Sequence, residues 1–191
     1  MNKPFTLIAS LALSLAALAG TAPARRAGHG AQAIDPPATR CDIRAYVVDP
    51  DPRGLNVRSG AGKAFPVVGT IKHFSDATVG VTVVGATGQW VLIKDAETQE
   101  EGASAFKGSG WVYAPMLATQ TRNYTGLDPD APRVKIFKAQ SRRSAVVTVL
   151  PNETEVNLVG CKGAWAQVRY KKFEGWLDPD SQCSNTLTTC S

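Results

Sequence analysis

The sequence predicts an all-β protein made of two small modules in tandem, as its composition and an internal repeat indicate. The 17 glycines and 12 prolines divide the 191 residues into short, valine-rich runs, a pattern typical of many short strands joined by turns. Helical periodicity is nearly absent after the N-terminus. The order of runs in the first half recurs in the second, which indicates an internal repeat.

The N-terminus has the features of an export signal, predicted over residues 1–24. Lys3 is followed by the uncharged, largely apolar run from Phe5 to Ala19 and then by Ala22-Pro23-Ala24, whose small residues suit a signal peptidase. We expect cleavage after Ala24, with cleavage after Ala33 and a retained anchor as alternatives. Removal leaves no segment long enough for a stable membrane span, so a periplasmic or secreted protein is expected.

Residues 25–40 are rich in Ala, Gly and Pro and predict a flexible arm. The first module is predicted over residues 41–120, with a proline-containing turn at Asp49–Gly54. Its predicted strands are residues 43–48, 55–58, 67–71, 78–84, 90–94 and 110–113.

The second module is predicted over residues 133–191, after a linker at residues 121–132. Its predicted strands are residues 134–137, 146–150, 155–159 and 165–169. The first module alone has an acidic insertion at residues 95–109, either a functional hairpin tip or a tolerated surface insertion. The second module is the more basic of the two.

Strand alternation predicts where the tryptophans point. In Trp165–Arg169, Ala166 and Val168 share one face and Trp165 shares the other with polar residues, so Trp165 is expected to face outward. The same reasoning turns Trp176, Trp111 and Trp90 outward, and such rings could stack on sugars or extended peptides. The alternative is structural: they cover an open barrel end or pack under a loop. The candidate ligand-binding residues are Asn56, Arg58, Trp90, Trp111, Tyr113, Trp165 and Trp176, with Asn56 also expected to bond the backbone of the following loop.

Cysteine usage predicts disulfide bonds in an oxidising compartment. The four cysteines are Cys41, Cys161, Cys183 and Cys190. We expect a Cys161–Cys183 bridge, with Cys183–Cys190 as the rival, since four cysteines allow three pairings. Histidines at positions 29 and 73 and the lack of a CxxC pair predict no metal site.

Enzyme motifs are missing from the sequence. It has no GxSxG, HExxH or phosphate-loop motif, and its acidic pairs lie in Asp-Pro turns, where carboxylates commonly bond local amides. We therefore expect no catalytic residues and no cofactor. The net charge of +5 is too mild to indicate a nucleic-acid partner.

The run from Leu55 to Gly62, with Trp90 and the Gly110-Trp111 step, resembles the bacterial SH3 domain signature. Gly175-Trp176 belongs to a weaker second copy, and the resemblance covers residues 43–179. The chain is also similar to exported proteobacterial proteins that pair two such domains and end in a Cys-rich tail like residues 182–190. The resemblance implies two small, strongly bent SH3-like β-barrels in tandem. It also implies binding to peptidoglycan or to protein segments, with catalysis left to other domains.

Two functions follow as expectations. The first is a non-catalytic binding module for peptidoglycan, its glycan or stem peptide, that uses the outward aromatic residues. The second is an adaptor or enzyme inhibitor for an envelope protein, using the acidic insertion and the basic second module. A hydrolase is a third and more distant alternative.

Overall fold

Antiparallel β-strands build nearly all of the part of the chain that the computed structural model describes, residues 36–100, 102–122 and 134–185. Those residues contain no α-helix; two 3-10 turns, Ala114–Met116 and Pro179–Ser181, are their only helical segments. The all-β prediction is confirmed. The predicted signal peptide, most of the predicted arm and linker, and Cys190 lie outside the described residues.

Every predicted run coincides with a strand, and several strands are longer than the run that predicted them. The first repeat contains β1 (Thr39–Val47), β2 (Leu55–Arg58), β3 (Val67–Ile71), β4 (Val79–Thr87), β5 (Trp90–Thr98), β6 (Ser104–Tyr113) and β7 (Leu117–Thr121). The second contains β8 (Val134–Phe137), β9 (Val146–Leu150), β10 (Glu155–Lys162), β11 (Trp165–Tyr170), β12 (Phe173–Leu177) and β13 (Gln182–Cys183). Sequence reasoning missed β7 and β13, which are short and lack a valine-rich pattern.

One continuous sheet joins all these strands. Their order is β3-β2-β6-β5-β4-β1-β7-β10-β11-β12-β8-β9, and β13 also pairs with β7. The series β9-β8-β12-β11-β10-β7 repeats the series β3-β2-β6-β5-β4-β1, so β7 occupies in the second repeat the place that β1 has in the first. Because β7 pairs with both β1 and β10, the repeats share a strand. The expectation of two separate tandem barrels is not confirmed.

In both Gly-Trp steps the glycine is needed because a neighbouring strand lies very close to it. A Cβ on Gly110 would lie 2.4 Å from the Val57 side chain, and a Cβ on Gly175 would lie 2.6 Å from the Phe137 carbonyl oxygen. Any larger residue would push β2 or β8 away from the neighbouring strand. Glycine is therefore required here by the approach of two backbones.

The inward faces of both repeats carry the core. Val57, Val91, Ile93, Ala166 and Leu177 are fully buried, and polar residues alternate with them on the outward face. The predicted inward positions of Ala166, Val168 and Leu177 are thus confirmed. Burial of this alternating aliphatic set is the main source of stability.

A disulfide between Cys41 and Cys161 ties the two repeats together. The predicted Cys161–Cys183 bridge is wrong. The start of β1 lies against the β10–β11 hairpin, where Asp42 donates to the Gly163 carbonyl at 2.9 Å and Gly163 donates to the Arg40 carbonyl at 2.8 Å, so Cys41 is the cysteine within reach. Cys183 is itself disulfide-bonded.

The insertion at residues 95–109 extends a hairpin that is packed on the body of the protein. It lengthens β5 and β6, and its Phe106 ring covers Gly69 on β3, at which a Cβ would meet the ring at 2.6 Å. The Gln99 backbone amide donates to the Thr78 carbonyl at 2.8 Å. These contacts support a structural role for part of this segment.

Candidate functional site

Trp90 and Tyr113 form an aromatic pair on the outward face of the first repeat. They are in register on β5 and β6, with ring centroids 5.7 Å apart and planes tilted by 55°. Both side chains are half-buried, and the Tyr113 hydroxyl lies 3.3 Å from the Gln89 side-chain oxygen. The pair offers apolar ring surface beside two polar groups, which suits a ligand that is itself part apolar and part polar.

The second repeat places aromatic rings at matching positions. Trp165 begins β11 as Trp90 begins β5, and its ring lies edge-on to Phe137 with centroids 6.1 Å apart. Phe137 is buried, whereas Trp165 and Trp176 are half-buried. Trp176 lies in register between Phe137 and Gln167. Three aromatic residues on neighbouring strands therefore cluster here, two of them partly open to solvent.

Trp111 corrects the prediction that all four tryptophans face solvent. Its exposed fraction is 0%. Alternation puts it on the outward face, but there it lies in register between Arg58 on β2 and Leu92 on β5. The loop that leaves β2 begins beside it with Ser59 and Gly60, both buried. Strand periodicity identifies the face of a side chain and says nothing of what covers that face.

The Arg58 side chain binds the backbone of the loop that follows β2. Its guanidinium donates to the Phe65 carbonyl at 2.8 Å, and the backbone bond from Ser59 to Pro66 at 3.0 Å closes the same loop. We expected Asn56 to make such a bond; Asn56 instead is exposed on β2, in register with Thr70. Of the two predicted ligand-binding residues on β2, Asn56 is therefore the more accessible to a ligand.

The aromatic cluster of the second repeat has charged neighbours that the Trp90–Tyr113 pair of the first repeat lacks at the matching position. Asp178 follows Leu177 as Tyr113 follows Val112, so a carboxylate stands where the first repeat has a phenol. Arg142 donates to Asp178 at 2.9 Å and also contacts Asp180. These hydrogen bonds, that of Asp180 first, raise the pKa of Arg142 above its ordinary value. Sequence reasoning gave Arg142 no partner, because Asp178 is 36 residues away in the chain.

The Trp90–Tyr113 pair and the cluster of Phe137, Trp165 and Trp176, which we call the two aromatic sites, belong to adjacent hairpins. The Thr39 hydroxyl at the start of β1 lies 3.3 Å from the Ala86 carbonyl of β4 and 3.1 Å from the Cys161 carbonyl of β10. The β4–β5 hairpin, which leads into Trp90, and the β10–β11 hairpin, which leads into Trp165, therefore flank the same residue. A polymeric ligand with repeated units could engage both.

Neither a metal cluster nor a membrane-spanning helix is found in the described part of the chain. No group of three His, Cys, Asp or Glu side chains there is arranged to hold a metal ion. None of its helical segments has the length and apolar character needed to cross a bilayer.

Comparison with solved structures finds distant similarity to two proteins of one organism. NlpC2 and NlpC1 from Trichomonas vaginalis are each 10% identical to this chain, with a TM-score of 0.28 in both cases. The alignment covers 75% of this chain and 48% of NlpC2, and 80% of this chain and 49% of NlpC1. The chain thus spans about half the length of these proteins. No curated protein matches the sequence.

A family comparison gives a direct match over the second repeat. The family described as bacterial SH3 domain matches residues 132–181, which include β8 to β12, the Phe137–Trp165 contact and the Gly175-Trp176 step. The match falls on the copy whose sequence resembles the signature less. Residues 132–181 are therefore a bacterial SH3 domain.

Proposed function

We propose that this protein is a non-catalytic binding module of the cell envelope that recognises peptidoglycan, its glycan or its stem peptide, through the half-exposed aromatic residues of both repeats. The observation that carries the proposal is the matching position of Trp90 and Trp165 in the two repeats. Each tryptophan begins the second strand of a hairpin, is partly exposed, and is supported by a second aromatic ring, Tyr113 at 5.7 Å or the buried Phe137 at 6.1 Å. Sugar rings and extended peptides present flat apolar surfaces that such half-exposed indole rings can bind.

Three further observations support the proposal. Residues 132–181 match the bacterial SH3 domain family. The Cys41–Cys161 disulfide is compatible with an extracellular or periplasmic location. The presence of two adjacent aromatic sites suits a polymeric ligand. A glycan strand with repeating units would gain affinity from simultaneous engagement of both sites.

Co-sedimentation with purified peptidoglycan sacculi tests the proposal. The oxidised protein is expected in the pellet, well above a control protein of similar charge. The Trp90→Ala/Trp165→Ala variant should lose most of this enrichment, because both rings that the ligand would contact are removed. Val149→Ala is the matched control, since Val149 is also an exposed apolar residue, 40% accessible, but lies on the edge strand β9.

Two outcomes would contradict the proposal. The first is a wild-type protein that is no more enriched than the control protein. The second is a double tryptophan variant that is folded and sediments like the wild type. If sacculi fail and affinity capture from periplasmic extract returns a stoichiometric protein, the adaptor function takes its place.

A further inference from the structure

A polar groove lies on the outward face of the first repeat and belongs to neither aromatic site. Its volume is about 530 Å³, within the range of roughly 300–1,000 Å³ that small-ligand sites occupy. The residues along it come from β1, β4, β5 and the segment after β13. The groove is thus built from both ends of the described chain.

Side-chain size on three adjacent strands creates the groove. The central strand β4 contributes Gly80 and Thr82 to its floor, which are small. Thr82 is in register with Arg44 on β1 and Lys94 on β5, and Gly80 is in register with Glu97 on β5. Long charged side chains therefore flank a floor of small residues.

The exposed charged side chains of the groove lie in two rows, with two cations in one row and a carboxylate in the other. Arg44 and Lys94 share the row of Thr82, whereas Glu97 lies in the row of Gly80, two residues and so about 7 Å away along the strand. All three side chains are exposed, and within the described residues none of them has an ion pair or a side-chain hydrogen bond. They are therefore available to a ligand.

A bulge holds a second carboxylate at the cationic end. Asp95 has a left-handed backbone with φ of 53°. Its backbone has no register partner on the neighbouring strands β4 and β6. Its carboxylate accepts from the Gly108 amide at 2.8 Å. Bulges often re-aim a side chain at a binding site, and this one fixes Asp95 beside Lys94.

The far end of the groove is closed by the C-terminal segment. The Gln99 side-chain amide donates to the Ser184 carbonyl at 2.5 Å, and Gln99 also lies over Gly80, where a Cβ would be 3.4 Å from its amide nitrogen. The disulfide-bonded Cys183 directly precedes Ser184. A ligand in the groove thus meets a fixed wall beyond Glu97.

We propose that this groove binds a short peptide that carries both a free carboxylate and a free ammonium group. The carboxylate lies between Arg44 and Lys94, and the ammonium lies at Glu97. A separation of about 7 Å between the two rows corresponds to two or three extended residues at roughly 3.3 Å each. This site goes beyond the proposed function, because it is separate from the aromatic pairs and is specific for charge.

Calorimetric titration of the oxidised protein with trialanine tests the site, with N-acetyl-trialanine amide as the uncharged comparison. Saturable binding of trialanine is expected, with the capped peptide about tenfold weaker, because the ion pairs of both charged termini are lost. Arg44→Ala/Lys94→Ala should weaken trialanine by a similar factor. Lys107→Ala is the matched control, since Lys107 is an exposed lysine on the same hairpin outside the groove.

A second pair of measurements assigns the ends of the ligand. Glu97→Gln should weaken trialanine by about fivefold and leave N-acetyl-trialanine unchanged, because that peptide has no ammonium to lose. Thr82→Trp should abolish binding by filling the floor. Should Thr82→Trp fail to fold, the charge variants alone decide. Equal affinity for trialanine and its capped form, or for wild type and Arg44→Ala/Lys94→Ala, would overturn the proposal.

Discussion

The Tyr46 hydroxyl on β1 donates a hydrogen bond of 3.0 Å to the Glu155 carboxylate at the start of β10. Tyr46 is only 3% exposed although it lies on the outward face of its strand, because the second repeat covers it. Burial, and after it the negative charge and hydrogen bond of Glu155, raises the pKa of Tyr46 well above its ordinary value. A phenol of the first repeat and a carboxylate of the second are thus joined by a part-buried hydrogen bond.

This contact predicts how stability depends on alkaline pH. The ordinary tyrosine pKa is 10.0, so above that pH the unfolded chain loses the Tyr46 proton while the folded protein keeps it. Unfolding then releases a proton, and the free energy of unfolding falls by up to about 1.4 kcal/mol per pH unit. Below that pH the stabilisation is fully present.

Tyr46→Phe should therefore be less stable than wild type at neutral pH, by about 1 kcal/mol, and should lose less stability above about pH 10. Urea unfolding of both proteins between about pH 7 and pH 11 measures the difference. A gap that stays constant over that range would contradict the assigned pKa shift.

Removal of the Cys41–Cys161 bridge should strongly destabilise the protein. The bridge joins residues 120 positions apart, and in the chain-entropy model a loop of that length contributes about 5 kcal/mol. Urea unfolding of Cys41→Ser/Cys161→Ser against wild type measures the loss. In excess reductant both proteins lack all bridges, and the difference between them should disappear; a difference that persists would show that the cysteines act by packing instead.

Trp111 and Trp90 should respond differently to truncation. Trp111→Ala should lower the free energy of unfolding by about 3–5 kcal/mol, because removal of this fully buried side chain leaves a cavity. Trp90→Ala should cost clearly less, since its ring is half-exposed. Denaturant unfolding measures both. Equal losses would mean that Trp90 is also structural, and that its place in the binding surface is wrong.

The glycine of the second Gly-Trp step should not tolerate a methyl group. Gly175→Ala places a Cβ 2.6 Å from the Phe137 carbonyl oxygen, and over-packing of this kind typically costs about 1–3 kcal/mol. Gly62→Ala is the matched control, because its Cβ would lie 3.4 Å from the Phe65 ring. Thermal unfolding compares the two; a Gly175→Ala variant as stable as Gly62→Ala would contradict the close strand crossing.

Local pattern predicted much of the secondary structure. The bounds of β2, β3, β8 and β9 agree with the valine-rich runs, because these strands carry both β-propensity and turn residues at each end. The β5 and β6 strands are longer than predicted. The insertion that follows Lys94 alternates weakly, and its Phe106 ring packs over Gly69 on β3, a contact between distant residues that no local pattern indicates.

The candidate site was predicted only in part. Alternation correctly grouped Trp165 apart from Ala166 and Val168, and it predicted Trp90 on the outward face, where its side chain is half-exposed. It failed for Trp111, whose covering loop is not part of its strand. The groove between Arg44, Lys94 and Glu97 was not foreseen at all, because it requires the register of β1 on the β4–β5 hairpin, which begins more than thirty residues later in the chain.

The sequence alone determined the all-β class, the repeat and the positions of most strands, because composition and period-two alternation act over a few neighbouring residues. Only the tertiary structure decided that β7 belongs to both repeats, that Cys41 rather than Cys183 pairs with Cys161, and that Trp111 is enclosed. Each of these depends on contacts between segments far apart in the chain. Such contacts are set by how whole sheets pack together, and no local pattern of residues encodes them.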